Sequence, residues 1–147
     1  MLKSILAIIV SYVAGISLFF ALVAGAFFLL GVERVFEPFS YEISGAWLVL
    51  TLVGSLLSAT LAGYICALIG KSSRTCQILA FVVFFLTLTS CVLDLRRIDP
   101  DAPNTRAGEI GYFDAMKLAV TPRWLVFVNP VVSGIGVLLG ARMRRRG

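Results

Sequence analysis

The chain has 147 residues, of which 59% are hydrophobic and 14% charged, with 13 Lys and Arg, 8 Asp and Glu, and no His. A soluble domain is about one quarter charged and about 45–50% apolar, so this composition indicates a protein that is solvated by lipid. The lack of His excludes Ser-His-Asp and Cys-His catalysis, bis-His haem ligation and the common zinc sites.

Charged residues divide the chain into four long uncharged spans. About 20 helical residues are needed to cross the roughly 30 Å hydrocarbon layer, and the spans are too long for strands and lack period-2 alternation. We therefore predict an all-α integral membrane protein, an up-down bundle of four transmembrane helices that forms a single domain. The predicted helices cover residues 4–31, 45–70, 76–93 and 124–141, with outer loops at 32–44 and 94–123.

The first span begins like a signal peptide, because Lys3 precedes an apolar run that contains Ala24-Gly25-Ala26. A signal h-region has about 7–15 residues, and this run is far longer. We therefore expect a helix that is retained in the protein.

Small residues recur at i,i+4 along three of the spans, and such rows let helix backbones approach closely in a membrane. The second span has two rows, so we expect it to be the central packing element, with a neighbour on each of two sides. Packing within the chain is favoured over oligomerisation, although both stay open. The rows are Ser11 and Gly15, Ala21 and Gly25 in the first span; Gly54, Ser58, Ala62 and Cys66, and Ser55, Ala59, Gly63 and Ala67 in the second; and Ser133, Gly136 and Gly140 in the fourth.

The first outer loop carries three acids and Pro38, and it ends at Ser44, which is placed to cap the second helix. We expect Pro38 to prevent the first helix from continuing across the loop. The second outer loop starts with a polar, proline-containing part and continues into residues 109–120, where apolar residues recur with helical spacing. We predict a short amphipathic helix over 109–120 that lies on the outer membrane face or caps the bundle.

The third span contains three phenylalanines and no glycine, so we expect it to face lipid or a partner chain. Cys66, Cys76 and Cys91 form no C-x-x-C motif, and we interpret them as small buried residues. The acids of the outer loops could gather around a hard cation such as calcium, but a solvated loop is favoured. The phenylalanines are Phe81, Phe84 and Phe85. The loop acids are Glu33, Glu37, Glu42, Asp94, Asp99 and Asp101.

Asn129-Pro130 is the strongest polar signal inside a span. The favoured interpretation is structural: the amide bonds to hydroxyls at similar depth on the third span and fixes a kink. The alternative is that the pair lines a water-filled cavity or a ligand pocket. The hydroxyl candidates on the third span are Thr87, Thr89 and Ser90.

Basic residues without acids cluster at both termini and in the turn between the second and third spans. This density of basic residues predicts that both termini lie in the cytoplasm. We expect the membrane to be the plasma membrane of a bacterium, its inner membrane, because the chain is small and has no N-x-Ser/Thr sequon. Aromatic side chains at the outer boundary are expected to form a belt, and the C-terminal arginines to bind anionic lipid headgroups rather than nucleic acid. The belt residues are Tyr41, Trp47, Tyr112 and Trp124, and the arginines are Arg142, Arg144, Arg145 and Arg146.

The sequence offers no catalytic constellation, and we assign no catalytic, cofactor-binding or metal-ligating residue and no cofactor. The favoured function is therefore a non-enzymatic accessory or scaffolding subunit that packs against other membrane chains, or against itself, through small-residue helix faces. The alternative is a small oligomeric channel or facilitator with a polar path near Asn129, Thr87 and Ser90.

Overall fold

The structure, a computed structural model, describes residues 2–97 and 119–146, and this part of the chain is helical without a strand. Four of its helices are long and apolar enough to cross a membrane, which indicates a multi-pass membrane protein. The helices are α1 (Leu2–Leu30), α2 (Val32–Val35), α3 (Gly45–Gly70), α4 (Ser73–Arg97) and α5 (Leu125–Arg146). The bounds of α3 match the predicted second span, whereas α4 and α5 continue past the apolar stretches into charged residues. The predicted helix over 109–120 lies outside the described residues except for Ala119 and Val120, and these two residues are not helical, since Val120 forms an isolated bridge with Glu42.

The first helix ends at Leu30, one residue before the predicted end at residue 31, and a glycine terminates it. Gly31 follows Leu30 in the left-handed region with φ of 70°, and its N–H donates to the carbonyl of Phe27 at 2.9 Å. A glycine adopts this conformation without steric cost and is a common helix terminator. The helix has therefore ended before Pro38 is reached.

The predicted cap of α3 is confirmed. The hydroxyl oxygen of Ser44 accepts a hydrogen bond from the N–H of Trp47 at 3.3 Å, and its proton goes to the carbonyl of Arg34 at 2.7 Å. Ser44 thus satisfies one free amide of α3 and ties the helix to the preceding loop. At the other end, Lys71 adopts a left-handed conformation with φ of 51°, and α4 begins two residues later.

We call one end of the helices the turn end, because it carries this turn, the start of α1 and the end of α5. The other end is the loop end. At the loop end, the connection between α2 and α3 and the segment that precedes α5 are joined by backbone hydrogen bonds, although these form only isolated bridges. Val120 donates its N–H to the carbonyl of Tyr41 at 2.9 Å, and Ile43 donates to the carbonyl of Val120 at 3.3 Å. These bonds fix the start of α3 relative to the segment that leads into α5.

The expected aromatic belt is wrong for Trp47. This side chain is only 3% exposed, and its ring packs edge-to-face on Phe27 of α1 with centroids 6.3 Å apart. Trp124 is half exposed, as a belt residue would be, and Tyr112 lies outside the described residues. Trp47 lies in the first turn of α3, but its side chain points into the protein.

The most extensive contact between helices joins α3 and α5, and glycines make it possible. A Cβ atom at Gly63 would overlap the carbonyl oxygen of Val137, and one at Gly140 would overlap the carbonyl oxygen of Thr60. At Gly136, a Cβ would lie 2.8 Å from that of Ala59. The two backbones are therefore in direct contact, as small-residue rows allow.

The other row of small residues on α3 packs on α1. A Cβ atom at Gly15 would lie 2.9 Å from the Cβ of Ala62 and 3.2 Å from the carbonyl oxygen of Ser58. The prediction that α3 contacts a neighbour with each of its two rows is therefore confirmed. The second row of α1 behaves differently, because Ala21 is exposed and a Cβ at Gly25 would meet nothing within 4 Å.

Helix α4 packs with one face and exposes the other. Leu79 is fully buried, whereas Phe81 and Phe85 are 67% and 56% exposed and stack on each other. These two rings lie as predicted for a face toward lipid or a partner chain. Phe84 does not share that face, because it is half-buried, and a Cβ added at Gly134 of α5 would lie 3.9 Å from the Cβ of Phe84.

Candidate functional site

The half of the protein near the turn end is filled by side chains. Cys66, Cys76, Leu79 and Val137 are each at most 1% exposed and belong to one buried cluster. The two thiols face each other across the α3–α4 hairpin, next to the hydroxyl of Ser11. All three cysteines of the chain are free, and the first two are buried as expected.

The half near the loop end contains a cavity of about 420 Å³ that is lined by α1, α3, α4 and α5. Small-molecule sites in proteins have volumes of about 300–1,000 Å³ and are mostly apolar with a few placed polar groups. Apolar side chains of α1 and α4, among them Phe19, Phe20 and Leu86, form much of the wall. The buried cluster that contains Cys66, Cys76 and Leu79 lies between this cavity and the turn end.

The cavity brings together the three residues that the alternative interpretation of the sequence had singled out. Thr87 and Ser90 of α4 and Asn129 of α5 all line it. Sequence reasoning missed the hydroxyls contributed by the small-residue rows, because Ser58 and Ser133 were treated as packing residues only. Hydroxyl residues at similar depth on three spans were the available signal.

Several hydroxyls in the wall donate their protons within their own helices. Thr51 donates to the carbonyl of Trp47 at 2.9 Å, Ser58 to that of Gly54 at 2.6 Å, and Ser133 to that of Asn129 at 2.9 Å. A hydroxyl has one proton and two lone pairs, so each of these groups keeps acceptor capacity for another molecule.

Asn129 does not make the structural bond that the sequence had favoured. Its amide oxygen is buried without a hydrogen-bond partner among the described residues, and no bond joins the side chain to Thr87 or Ser90. Thr89 donates instead to the carbonyl of Phe85 in its own helix, at 2.8 Å. The amide of Asn129 lies beside the thiol of Cys91. The side chain thus adds an unused acceptor to the cavity, and such buried groups are rare.

Pro130 and Asp94 are the origin of two further hydrogen-bond acceptors in residues of the cavity wall. Pro130 has no N–H, so the carbonyl of Val126, another residue of the wall, loses its usual helical partner. Asp94 also lines the cavity, whereas no basic side chain does so among the described residues.

The described carboxylates do not form a metal site. Within residues 2–97 and 119–146, no three His, Cys, Asp or Glu side chains come close enough together to hold an ion. Two of the acids considered for calcium, Asp99 and Asp101, lie outside these residues.

The chain was compared with models of protein families, with curated proteins and with solved structures, and none of the three comparisons found a significant match.

Proposed function

We propose that the chain is a non-enzymatic accessory or scaffolding subunit of a complex in the plasma membrane of a bacterium. It inserts as a four-helix bundle with both termini in the cytoplasm. The observation that carries the proposal is a row of small residues on α1 that no described helix covers.

The two small-residue rows of α1 have different surroundings. Ser11 is fully buried and Gly15 packs on α3, so this row is used within the chain. Ser17 and Ala21 are exposed, and Gly25 has open space beside it. Small residues at i,i+4 allow close approach of a second helix, and a serine can add an interhelical hydrogen bond. We therefore assign the row Ser17, Ala21 and Gly25 to contact with a transmembrane helix of another protein.

Charge supports the proposed orientation. The last residues of α5 extend the helix beyond the apolar span, and Arg142 and Arg144 are exposed there. Lys71 and Arg74 are exposed at the same end of the protein. Basic residues next to a membrane favour the cytoplasmic side and attract anionic headgroups by about 1 kcal/mol each.

The test is native mass spectrometry of the protein purified from its own membranes in mild detergent. We expect a stoichiometric foreign partner that is retained by Ala46→Phe and lost in Ala21→Phe. The substitution is identical, and Ala46 is exposed on α3. Retention of the partner by both variants, or isolation of a monomer alone, would contradict the proposal. A defined homo-oligomer would favour the channel instead.

A small oligomeric channel or facilitator is the second candidate, and the cavity beside Thr87, Ser90 and Asn129 is the observation that favours it. We rank it second because a cluster of buried side chains, among them Cys66, Cys76 and Leu79, lies between the cavity and the turn end. Flux of a small solute into proteoliposomes that is abolished by Asn129→Leu would reverse this ranking.

A further inference from the structure

The cavity has a polarity that specifies the kind of molecule it can hold. Its established acceptors are the buried amide oxygen of Asn129 and the hydroxyl oxygens of Ser58 and Ser133, whose protons are already donated to backbone carbonyls. An occupant that brought further acceptors would leave these groups unsatisfied, and a buried unsatisfied polar group costs about 1–3 kcal/mol. An occupant with hydrogen-bond donors satisfies these acceptors, and the hydroxyls of Tyr12, Thr87 and Ser90, which also line the cavity, can accept as well as donate.

The negative charge of the cavity wall favours a cationic hydrogen-bond donor over a neutral one. Asp94 is the one charged side chain among the described residues of the wall. Asp94 follows Cys91 by three residues on α4, so the Cα atoms of these two residues are about 4.5 Å apart along the helix axis, and the thiol of Cys91 lies beside the amide of Asn129. A primary ammonium carries three donors and no acceptor, and it can bond to an amide oxygen and a carboxylate at once.

The remaining wall accommodates an apolar body. Phe19 and Phe20 of α1 face Leu86 and Val83 of α4 around the cavity, whose volume of about 420 Å³ suits a small organic molecule. Aromatic rings also attract cations through their faces.

We propose that this cavity is a binding site for a small amphiphilic primary amine, whose ammonium group bonds to Asn129 and Asp94 and whose apolar body lies against the aromatic rings of α1. This goes beyond the role of a membrane subunit, because it gives the chain a ligand of its own. The site needs no partner chain, since all of its described residues belong to one protein molecule.

The experiment uses the full chain in phosphatidylcholine nanodiscs, whose zwitterionic lipid does not concentrate cations. Three probes share one apolar body: 4-phenylbutylamine, 4-phenylbutanol and 4-phenylbutyrate. Binding is measured by saturation-transfer NMR, with empty nanodiscs as the baseline for partitioning into lipid. We expect the amine to bind more tightly than the alcohol, and the carboxylate to show no binding above the baseline.

Variants connect binding to the site. We expect Asn129→Leu to weaken amine binding about tenfold, because a buried acceptor is lost, and Asp94→Asn to weaken it about fivefold, because the lost charge is exposed. Glu37→Gln, which neutralises an exposed loop acid outside the cavity, is the control and should leave affinity unchanged. Since Asp94 is exposed, its variant tests the site even if Asn129→Leu fails to fold.

Three results would overturn the proposal. They are equal affinity for amine and alcohol, an amine signal no greater than that of empty nanodiscs, or an amine affinity that Asp94→Asn leaves unchanged. A phospholipid acyl chain that stays in the cavity and excludes the amine would give the second result.

Discussion

Gly63→Ala tests whether direct backbone contact holds α3 and α5 together. The added Cβ would overlap the carbonyl oxygen of Val137 and lie 2.7 Å from its carbonyl carbon. Helix backbone cannot rotate out of the way as a side chain can, so α5 must shift as a unit. Gly25→Ala is the matched control, because it adds the same methyl group to α1 where nothing lies within 4 Å.

The expected magnitude follows from that overlap. Ordinary contact starts at 3.4 Å, so relieving the contact with the carbonyl carbon alone requires the helices to separate by about 0.7 Å at Gly63, and the carbonyl oxygen, which lies closer, requires more. A gap of about 0.5–1 Å removes a quarter to a half of the dispersion energy of each contact, and overpacked sites lose about 1–3 kcal/mol. We expect Gly63→Ala to lower the free energy of unfolding by about 2 kcal/mol. Gly25→Ala should raise it by up to about 1 kcal/mol through helix propensity.

The assay is unfolding by SDS in mixed micelles, followed by the fluorescence of Trp47 and Trp124. A larger substitution should widen the difference: Gly63→Leu should be far less stable than Phe84→Leu, since Phe84 is only half-buried. Equal unfolding midpoints for Gly63→Ala and Gly25→Ala would refute the reasoning, because the two changes differ only in the space around the methyl group.

Three further predictions concern the ends of the helices. Ser44→Ala should lower the free energy of unfolding by about 1 kcal/mol in the same titration, because the cap of the Trp47 amide is lost; an unchanged midpoint would show that the cap is dispensable. Hydrogen exchange should be slow across residues 109–120, and fast exchange throughout would rule out the amphipathic helix. Single cysteines introduced at 71–75 and at 142–147 should react with an impermeant reagent from the same side of the membrane, and labelling from opposite sides would refute four crossings.

Properties that depend on the order of residues along one helix could be predicted from the sequence. The bounds of α3 were predicted because a serine precedes the uncharged stretch and Gly70-Lys71 follows it. The two rows of small residues on α3 were equally readable, because a period of four residues places them on adjacent stripes.

Properties that depend on the rotation of one helix against another could not be predicted. The pairs Ser11 and Gly15, and Ala21 and Gly25, have the same spacing, yet only the first packs within the chain. Asn129 was expected to find a hydroxyl on α4, but the side chains in question surround a cavity whose existence depends on how four helices diverge. No single span carries that information.

The hydrogen bonds from Val120 to Tyr41 and from Ile43 to Val120 have a mechanical consequence. A force applied to the chain at Val120 is transmitted to the start of α3 through these hydrogen bonds as well as to α5 along the chain. The two connections therefore move together when a force acts on either of them. The force is passed to α3, which is in direct backbone contact with α5 at Gly63.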